Sequence, residues 1–255
     1  HTSCGRDWSS DVCSSDLEEN EELPLHGRLS YIPAKDVYTR GAWEGDDYVL
    51  RLGGRMREHI MFGHCLEMTR QLSTVLGESV IRIHDRVENL GTDPAPLMVL
   101  YHTNPGWPLL DVGARLLVQS RKTTDWLKDE DVSPDVYAKM AGPRQRMHDD
   151  VYIHRPRADR RGDVHVALIN DRLGLGLYWK FPRKEMPVLS QWQHFHRGTY
   201  VTGIEPGNCS ALGRAWNRKN RSLEYLEPGQ TRDFHLEMGV LDGEKEIRAF
   251  ERAHS

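Results

Sequence analysis

Short runs that alternate apolar and polar residues, separated by frequent turn signals, follow one another along most of the chain. This period of two is the pattern of a half-buried β-strand, whose successive side chains point to opposite faces of a sheet. The run at Ser79–Glu88 is an example, because Ile81, Ile83 and Val87 share one parity and therefore one face. Strands are also predicted at Tyr48–Leu52, Leu97–His102, Arg115–Val118, Val164–Ile169, Leu175–Phe181, Tyr200–Ile204 and Thr231–Leu241.

Turn-forming residues separate these runs at intervals of roughly ten residues, a spacing that is typical of an antiparallel sandwich or barrel. A helical period extends only over the short segments Thr123–Lys128, Asp135–Met140 and Glu244–Arg252. The sequence therefore predicts one all-β domain. The predicted turns are Gly41, Glu44–Asp47, Gly53–Gly54, Gly77–Glu78, Asn89–Pro96, Pro105–Pro108, Arg160–Asp163, Pro206–Asn208 and Pro228–Gly229.

The first seventeen residues have neither period and are predicted to lie outside the fold. Arg6–Leu17 reads RDWSSDVCSSDL, which resembles the translation of a DNA sequencing adapter. Such remnants take no part in a natural fold, so we expect residues 1–17 to be a non-native leader and residues 18–255 to form an N-terminally truncated domain. Without the leader the remaining cysteines are Cys65 and Cys209, two isolated thiols that suit a reducing, cytoplasmic compartment.

The charge balance narrows the range of partners. The 255 residues carry 34 Lys and Arg against 38 Asp and Glu, which gives a formal net charge of -4. A slightly acidic chain has no electrostatic footprint for a polyphosphate backbone, so no nucleic-acid partner is predicted. No run approaches the ~18 consecutive apolar residues of a membrane helix, so no membrane partner is predicted either.

Histidines and acids at the ends of predicted strands carry the candidate chemistry. His26 and Arg28 flank a glycine and suit hydroxyl or anionic groups, although an exposed turn is the simpler interpretation. His102 follows an apolar run and has an ordinary pKa of ~6.5, which suits a general acid near neutral pH; the alternative is a strand cap. Glu205 lies between an apolar run and a proline, where limited solvent would raise its pKa and make it a base. A solvated turn is the other interpretation of this glutamate.

The segment Ser190–His196 adds an aromatic face and two imidazoles. The flat apolar face of Trp192 is suited to stacking on the C–H face of a sugar ring. His194 and His196 are two residues apart, so on a strand they share one face and could chelate a metal. The sequence offers no third ligand at a supporting spacing. No metal and no cofactor is therefore predicted, and neither a phosphate-binding loop nor a nucleophile elbow occurs.

Five segments combine these residues into longer motifs. They are LPLHGRLSYIPA (Leu23–Ala34), IRIHDRVENLGTDPAPLMVLYHTNPGWPLL (Ile81–Leu110), VLSQW (Val188–Trp192), YVTGIEPGN (Tyr200–Asn208) and LEPGQ (Leu226–Gln230). Taken in this order, they resemble aldose 1-epimerases (mutarotases), and most closely an uncharacterised branch of that superfamily. The resemblance extends over nearly all of residues 18–255. It implies a large antiparallel β-supersandwich of the galactose mutarotase-like type, with a small sugar as the substrate.

The resemblance also implies roles for single residues. Glu205 aligns with the carboxylate base that takes the proton of the anomeric hydroxyl, and His102 aligns with the histidine that protonates the ring oxygen. Ring opening, rotation about the C1–C2 bond and reclosure then invert the anomeric centre without a metal or a nucleotide. His26 and Arg28 resemble the sugar-positioning pair of the related hexose-6-phosphate branch. The residues expected to contact the sugar are His26, Arg28, Asn104, His154 and Trp192.

Two functions stay open beside the isomerase. One is non-catalytic carbohydrate binding or sensing by a sandwich that has kept its cleft. The presence of both proton-transfer candidates, Glu205 and His102, argues against this function. The other is a polysaccharide lyase on a related sandwich, for which the neighbouring Tyr101 and His102 supply suitable residue types. The leading interpretation is an isomerase of the aldose 1-epimerase type.

Overall fold

The computed structural model describes residues 26–61, 63–145 and 149–254. The predicted leader and the first residues of the first motif lie outside the described residues. The described part contains a 3-10 turn at Leu29–Tyr31 and the helices α1 (Pro134–Tyr137), α2 (Gly213–Lys219) and α3 (Gly243–His254). Its strands are β1 (Lys35–Glu44), β2 (Asp47–His59), β3 (Cys65–Val75), β4 (Val80–Asn89), β5 (Ala95–Leu97), β6 (Arg115–Val118), β7 (Ser120–Asp125), β8 (Asp150–Pro156), β9 (Asp163–Asn170), β10 (Leu175–Pro182), β11 (Val188–His196), β12 (Thr199–Gly207), β13 (Glu224–Leu226) and β14 (Thr231–Asp242).

These strands form two large antiparallel sheets and a small one. The larger sheet has eight strands in the order β1-β2-β3-β4-β14-β10-β9-β6, and the second has four in the order β12-β11-β8-β7. Strands β13 and β5 pair separately as a two-stranded sheet. Chain neighbours such as β1, β2, β3 and β4 pair directly, as short connections favour in antiparallel sheets. The predicted all-β supersandwich is confirmed.

The main core lies between the two large sheets. Trp179 and Phe234 come from the eight-stranded sheet, and Leu189 and Ile204 come from the four-stranded sheet; all four side chains are fully buried. Burying an apolar side chain of this kind contributes roughly 1.5–3 kcal/mol relative to leaving it exposed. In β14 the buried Phe234 and Leu236 share one parity, as the period of two in the sequence predicts.

Glycines predicted to form turns lie inside two strands instead. Gly41 belongs to β1 and Gly53–Gly54 to β2. A Cβ added at Gly41 would overlap the Tyr48 ring, and one added at Gly53 would overlap the Tyr38 ring. Each glycine therefore leaves room for an aromatic ring to pack against the strand backbone, which is one reason for glycine inside a strand. The turn predictions at Gly41 and Gly53–Gly54 are wrong, because these residues lie within paired strands.

The three helical predictions have different outcomes. The segment Thr123–Lys128 begins in β7, because its first residues pair with β8 and β-branched threonines favour strands. Helix α1 covers only the start of Asp135–Met140. The prediction at Glu244–Arg252 is confirmed by α3, which packs its Ile247 against the eight-stranded sheet. No helix among the described residues is long and apolar enough to cross a membrane.

The chain that follows β5 runs beside β12 and continues the four-stranded sheet irregularly. Isolated antiparallel bridges join Leu100 to Gly207 and Thr103 to Ile204. The Ile204 amide donates to the Thr103 carbonyl at 2.9 Å. The predicted strand Leu97–His102 is thus regular only at its start, and the rest is held against β12 by single bridges. This segment, residues 98–106, carries one half of the candidate site.

Candidate active site

A cavity of about 490 Å³ opens between the two large sheets. Its walls come from β2, β3 and β4 on one side and from β8, β12 and the residues before α2 on the other. Small-molecule sites have volumes of about 300–1,000 Å³, so the space suits one sugar ring. Four of the predicted site residues line it, namely His26, Arg28, His102 and Glu205.

His102 and Glu205 face each other in this cavity. His102 Nε2 lies 3.3 Å from Glu205 Oε1, in a geometry that forms no hydrogen bond. Glu205 Oε1 and His102 Nδ1 are both buried and have no hydrogen-bond partner among the described residues. Buried polar atoms are nearly always paired, so a ligand in the cavity is a natural partner for them.

Two adjacent backbone segments bring these side chains together. Glu205 belongs to β12, and His102 lies on the irregular segment that runs antiparallel to β12. Gly203 is next to both side chains: an added Cβ would overlap Glu205 Oε1 and come within 3.2 Å of His102 Cε1. The glycine two residues before the glutamate therefore leaves the space that the carboxylate occupies.

Glu205 lies in a dry environment. Its side chain is only 5% exposed, and burial raises its pKa to about 8, because removal from water disfavours the charged carboxylate. In the free protein the carboxyl group is therefore mostly protonated at neutral pH. The raised pKa agrees with the expectation from the sequence that solvent is limited at this position.

His102 is shifted in the opposite direction. Burial and, to a smaller extent, the neighbouring His26 lower its pKa, the side chain of Asn104 acts to raise it, and the net result is a pKa of about 4. The imidazole is therefore neutral at neutral pH. Between pH values of about 4 and 8 the facing pair holds one proton, which rests on Glu205. A pair that shares one proton can donate at one atom of a substrate and accept at another.

His26 reaches the pair from a tight turn. Its backbone has a φ of 64°, and Gly27 follows with a φ of 68°, so two successive residues adopt the left-handed conformation. This conformation costs a non-glycine residue roughly 1–2 kcal/mol. The His26 ring lies edge-on to His102 with a centroid distance of 5.2 Å. Burial lowers the pKa of His26, which keeps a second neutral imidazole beside the first.

Arg28 belongs to a small charged cluster at the other end of the same turn. Its Nη1 lies 3.3 Å from Glu58 Oε1, and His64 Nε2 lies 2.8 Å from the same oxygen. Burial alone would raise the pKa of Glu58, but His64 and then Arg28 outweigh it and lower the pKa. Glu58 is therefore ionised, and it holds the guanidinium in place at the cavity wall.

Trp192 and Asn104 lie close to His102 but do not line the cavity. The Trp192 ring lies edge-on to His102, with the centroids 6.0 Å apart. Asn104 is exposed on the segment beside β12, where its side chain acts on the pKa of His102. Both remain candidate contacts for a ligand that extends out of the cavity.

His154 lies away from the cavity. Val151 and Ile153 on β8 line the cavity, and His154 has the opposite parity, so it faces the other side of the sheet. Its ring nitrogens lie 3.0 Å from Thr123 Oγ1 and 3.1 Å from Gln191 Oε1. Burial lowers its pKa to about 4. His154 is a buried histidine with its own partners, and its expected role as a sugar contact does not fit this position.

The cavity wall also contains an ion pair that none of the sequence motifs above includes as a candidate site. Arg70 donates from Nε and Nη2 to the two carboxylate oxygens of Asp85, at 2.8 and 2.6 Å. Tyr101 Oη donates to the same carboxylate at 2.7 Å. A signal exists in the sequence, because Asp85 has the parity of Ile83 and Val87 and is therefore an acid on the apolar face of a strand.

One group of side chains in the described part of the chain could hold a metal ion. The ligand atoms of Asp149, His194 and His196 all lie within 4.8 Å of one another. Asp149 precedes His194 by 45 residues, which explains why the spacing in the sequence offers no third ligand. None of the three side chains lines the cavity.

Solved structures with the same fold include several sugar-epimerase-like proteins. A protein from Klebsiella pneumoniae, described as a "putative aldose 1-epimerase", aligns with a TM-score of 0.85 and 26% identity, over 92% of this chain and 62% of its own. A galactose mutarotase-like protein from Clostridium acetobutylicum aligns with a TM-score of 0.61 and 14% identity, over 89% of this chain and 71% of its own. The chain thus spans about 62% of the length of the Klebsiella protein.

These structures confirm the galactose mutarotase-like β-supersandwich and the resemblance to the aldose 1-epimerase superfamily. Within that class, the chain belongs to the family described as "Domain of unknown function (DUF4432)", which it matches over residues 1–240. No protein of curated function shows significant sequence similarity to it.

Proposed function

We propose that the protein is an aldose 1-epimerase that interconverts the anomers of a sugar by acid/base ring opening. The observation that carries the proposal is the 3.3 Å approach of His102 Nε2 to Glu205 Oε1 in a cavity that suits one sugar ring. The similarity to proteins described as mutarotase-like or epimerase-like supports the same reaction class.

Ring opening needs a base at the anomeric hydroxyl and an acid at the ring oxygen. Glu205 as the carboxylate takes the hydroxyl proton, and protonated His102 donates to the ring oxygen. The pair needs one proton in total for this, which is the number it holds between pH values of about 4 and 8. That proton rests on Glu205, so it first moves to His102. Each positioned proton transfer contributes roughly 10²–10⁴ in rate.

The remaining cavity residues position the sugar. His26 offers one donor and one acceptor to hydroxyl groups, and Arg28 offers several donors that Glu58 holds in a fixed direction. Trp192 supplies an aromatic wall next to His102. On reclosure the roles of Glu205 and His102 reverse, because the reverse reaction passes through the same transition state.

Lyase chemistry is less well supported. It would use Tyr101 as a proton acceptor, but this hydroxyl donates to Asp85 at 2.7 Å. Burial and the adjacent carboxylate both raise the pKa of Tyr101. The phenol therefore stays protonated, and its oxygen is already engaged in the cavity wall.

Polarimetry on freshly dissolved α-aldoses tests the proposal. The protein should accelerate the change in optical rotation for at least one sugar of a broad panel, and Glu205→Gln should lose that acceleration. Glu185→Gln is the matched control, since Glu185 contacts His235 in a comparable pair away from the cavity. Sugar binding in a calorimeter without any acceleration would contradict the proposal and favour a carbohydrate-binding protein.

A further inference from the structure

We propose that Asp149, His194 and His196, the β8–β11 cluster, form a binding site for a divalent transition-metal ion such as Zn²⁺. One carboxylate oxygen and two imidazole nitrogens are a ligand set that such ions favour. The ligand atoms already lie within 4.8 Å of one another. The site is separate from the acid–base pair and does not depend on the proposed reaction.

Strand register builds the cluster. His194 and His196 lie two residues apart on β11 and share one face, with their rings stacked at a centroid distance of 4.1 Å and an angle of 10°. Strand β8 pairs antiparallel with β11 and places Asp150 opposite Gln193. Asp149, the residue before β8, therefore falls beside His194. Strand β11 thus supplies two of the ligands, and the residue directly before β8 supplies the third.

The distances fit a small coordinated ion. His196 Nε2 lies 3.5 Å from Asp149 Oδ1, and His194 Nδ1 lies 2.6 Å from the same oxygen. Two ligands at about 2.1 Å from a tetrahedral ion are about 3.4 Å apart. The His196–Asp149 separation therefore fits as it stands. The His194–Asp149 separation has to lengthen by less than roughly 1 Å. The two stacked rings also have to rotate out of parallel when the ion binds, because an imidazole nitrogen binds a metal in the plane of its ring.

An unpaired buried atom points to a ligand at this place. His196 Nε2 is buried and forms no hydrogen bond with any residue that the structure describes, although it faces the oxygen of Asp149. A metal ion between the two atoms would give His196 Nε2 a partner. On the opposite side of His194, Nε2 lies 2.9 Å from Thr199 Oγ1. Metal-binding histidines commonly use their other nitrogen in this way, which fixes the ring orientation.

A second pair of stacked histidines lacks the shared carboxylate that the β8–β11 cluster has. His84 and His235 stack at a centroid distance of 4.3 Å and an angle of 11°. Each of them contacts a different carboxylate, Asp233 for His84 and Glu185 for His235. Among the described residues, no group of side chains that could hold a metal ion includes either of these histidines. This pair is therefore a matched control of the same residue types.

The position of the cluster leaves it accessible to ions. Its three side chains are between 10% and 30% exposed, so an ion can enter from solvent and complete its coordination with water. The Trp192 ring lies between the cluster and the acid–base pair, 5.2 Å from His194 and 6.0 Å from His102. An ion at the cluster would thus support the outer side of this aromatic wall.

Titration with Co²⁺ and Zn²⁺ tests the site. The untagged full chain, stripped with a chelator, should bind a single Co²⁺ ion with the visible absorption of a nitrogen- and oxygen-ligated site, and Zn²⁺ should displace it. Asp149→Asn and His196→Ala should each weaken Co²⁺ binding by at least about tenfold, and Thr199→Val should weaken it by about 10–100-fold. His84→Ala and His235→Ala should bind as the wild type does.

Thermal unfolding of each variant checks that weaker Co²⁺ binding does not result from loss of the folded structure. Asp149→Asn is a second control on this point, because asparagine has the same shape as aspartate. The proposal is overturned if the wild type binds no Co²⁺ at micromolar concentration. It is also overturned if Asp149→Asn and His196→Ala bind Co²⁺ as tightly as His84→Ala does, because the ion would then be held elsewhere.

Discussion

Glu205 Oε1 fills the space that a side chain at Gly203 would need, two residues earlier on β12. The same added Cβ would come within 3.2 Å of His102 Cε1. The glycine thus determines how closely the carboxylate and the imidazole approach each other. Gly203 therefore contributes to the geometry of the site although it has no side chain.

Gly203→Ala should reduce kcat by at least about tenfold, because even a small misplacement of catalytic groups is costly. The added methyl group has to push Glu205 away from His102, while the strand backbone requires no unusual conformation. Polarimetry gives the rate and circular dichroism checks the fold. Gly106→Ala is the control, since its added Cβ would make only an ordinary contact of 3.4 Å with the Tyr200 carbonyl. Equal activity of the two variants would show that Gly203 has no such role.

Glu205→Gln should stabilise the protein at alkaline pH and not at acidic pH. Folding raises the pKa of Glu205 from 4.5 to about 8, so the folded state binds this proton more tightly than the unfolded chain. The resulting stability is complete below pH 4.5 and is lost as pH rises through about 8. At 1.36 kcal/mol per pKa unit, the neutral amide should gain up to roughly 5 kcal/mol above pH 8.

Urea unfolding of wild type and Glu205→Gln below pH 4.5 and above pH 8 measures this difference. Glu185→Gln is the matched control for the substitution itself, since Glu185 does not line the cavity. If the two proteins differ by the same free energy of unfolding at both pH values, the carboxyl group of Glu205 does not titrate with a raised pKa.

The pH profile of kcat/KM should be bell-shaped, with its limbs near pH 4 and pH 8. Below the lower limb both groups are protonated and no base remains; above the upper limb both are deprotonated and no acid remains. The plateau between them covers the states in which the pair holds one proton, whichever group carries it. A lower limb near 6.5, the ordinary pKa of histidine, would mean that His102 is not buried as described.

Asp85→Asn should destabilise the fold by about 3 kcal/mol, since it leaves Arg70 without its charged partner in the cavity wall. This value is at the low end for a buried pair because the Arg70 side chain is 37% exposed. Asp233→Asn, which removes the partner of the exposed Arg86, should cost much less, because solvent screens an exposed ion pair. Urea unfolding at neutral pH compares the two variants, and equal losses would contradict a structural role for Asp85.

The alternation of apolar and polar residues predicts the strands that have one solvent-exposed face and one buried face. Strand β14 is of this kind, and its predicted range Thr231–Leu241 differs from the observed one by a single residue. Strand β1 has no such pattern, because it lies at the edge of the sheet and nearly all of its residues are exposed. A strand shows a period of two in its sequence because one of its faces is buried and therefore apolar. An exposed edge strand has no buried face, so this pattern does not predict it.

Local motifs point to Glu205 and His102, since each lies at the end of an apolar run. The place of His154 and the partner of His194 depend instead on how β8 aligns with β11. Register is a long-range property, and a shift of one residue exchanges the two faces of a strand. His154 therefore faces away from the cavity, and Asp149 joins two histidines that lie far from it in the sequence.

The rate of anomer interconversion in Glu205→Gln, His102→Asn and the double variant shows whether Glu205 and His102 act together on the sugar. If the two residues act as one proton-sharing pair, each single variant loses roughly 10²–10⁴ in rate, and the double variant is little slower than either, as for residues that act as a unit. The control pair Glu185→Gln and His235→Asn should keep the wild-type rate. Single variants that retain activity, or losses that multiply fully in the double variant, would contradict the account.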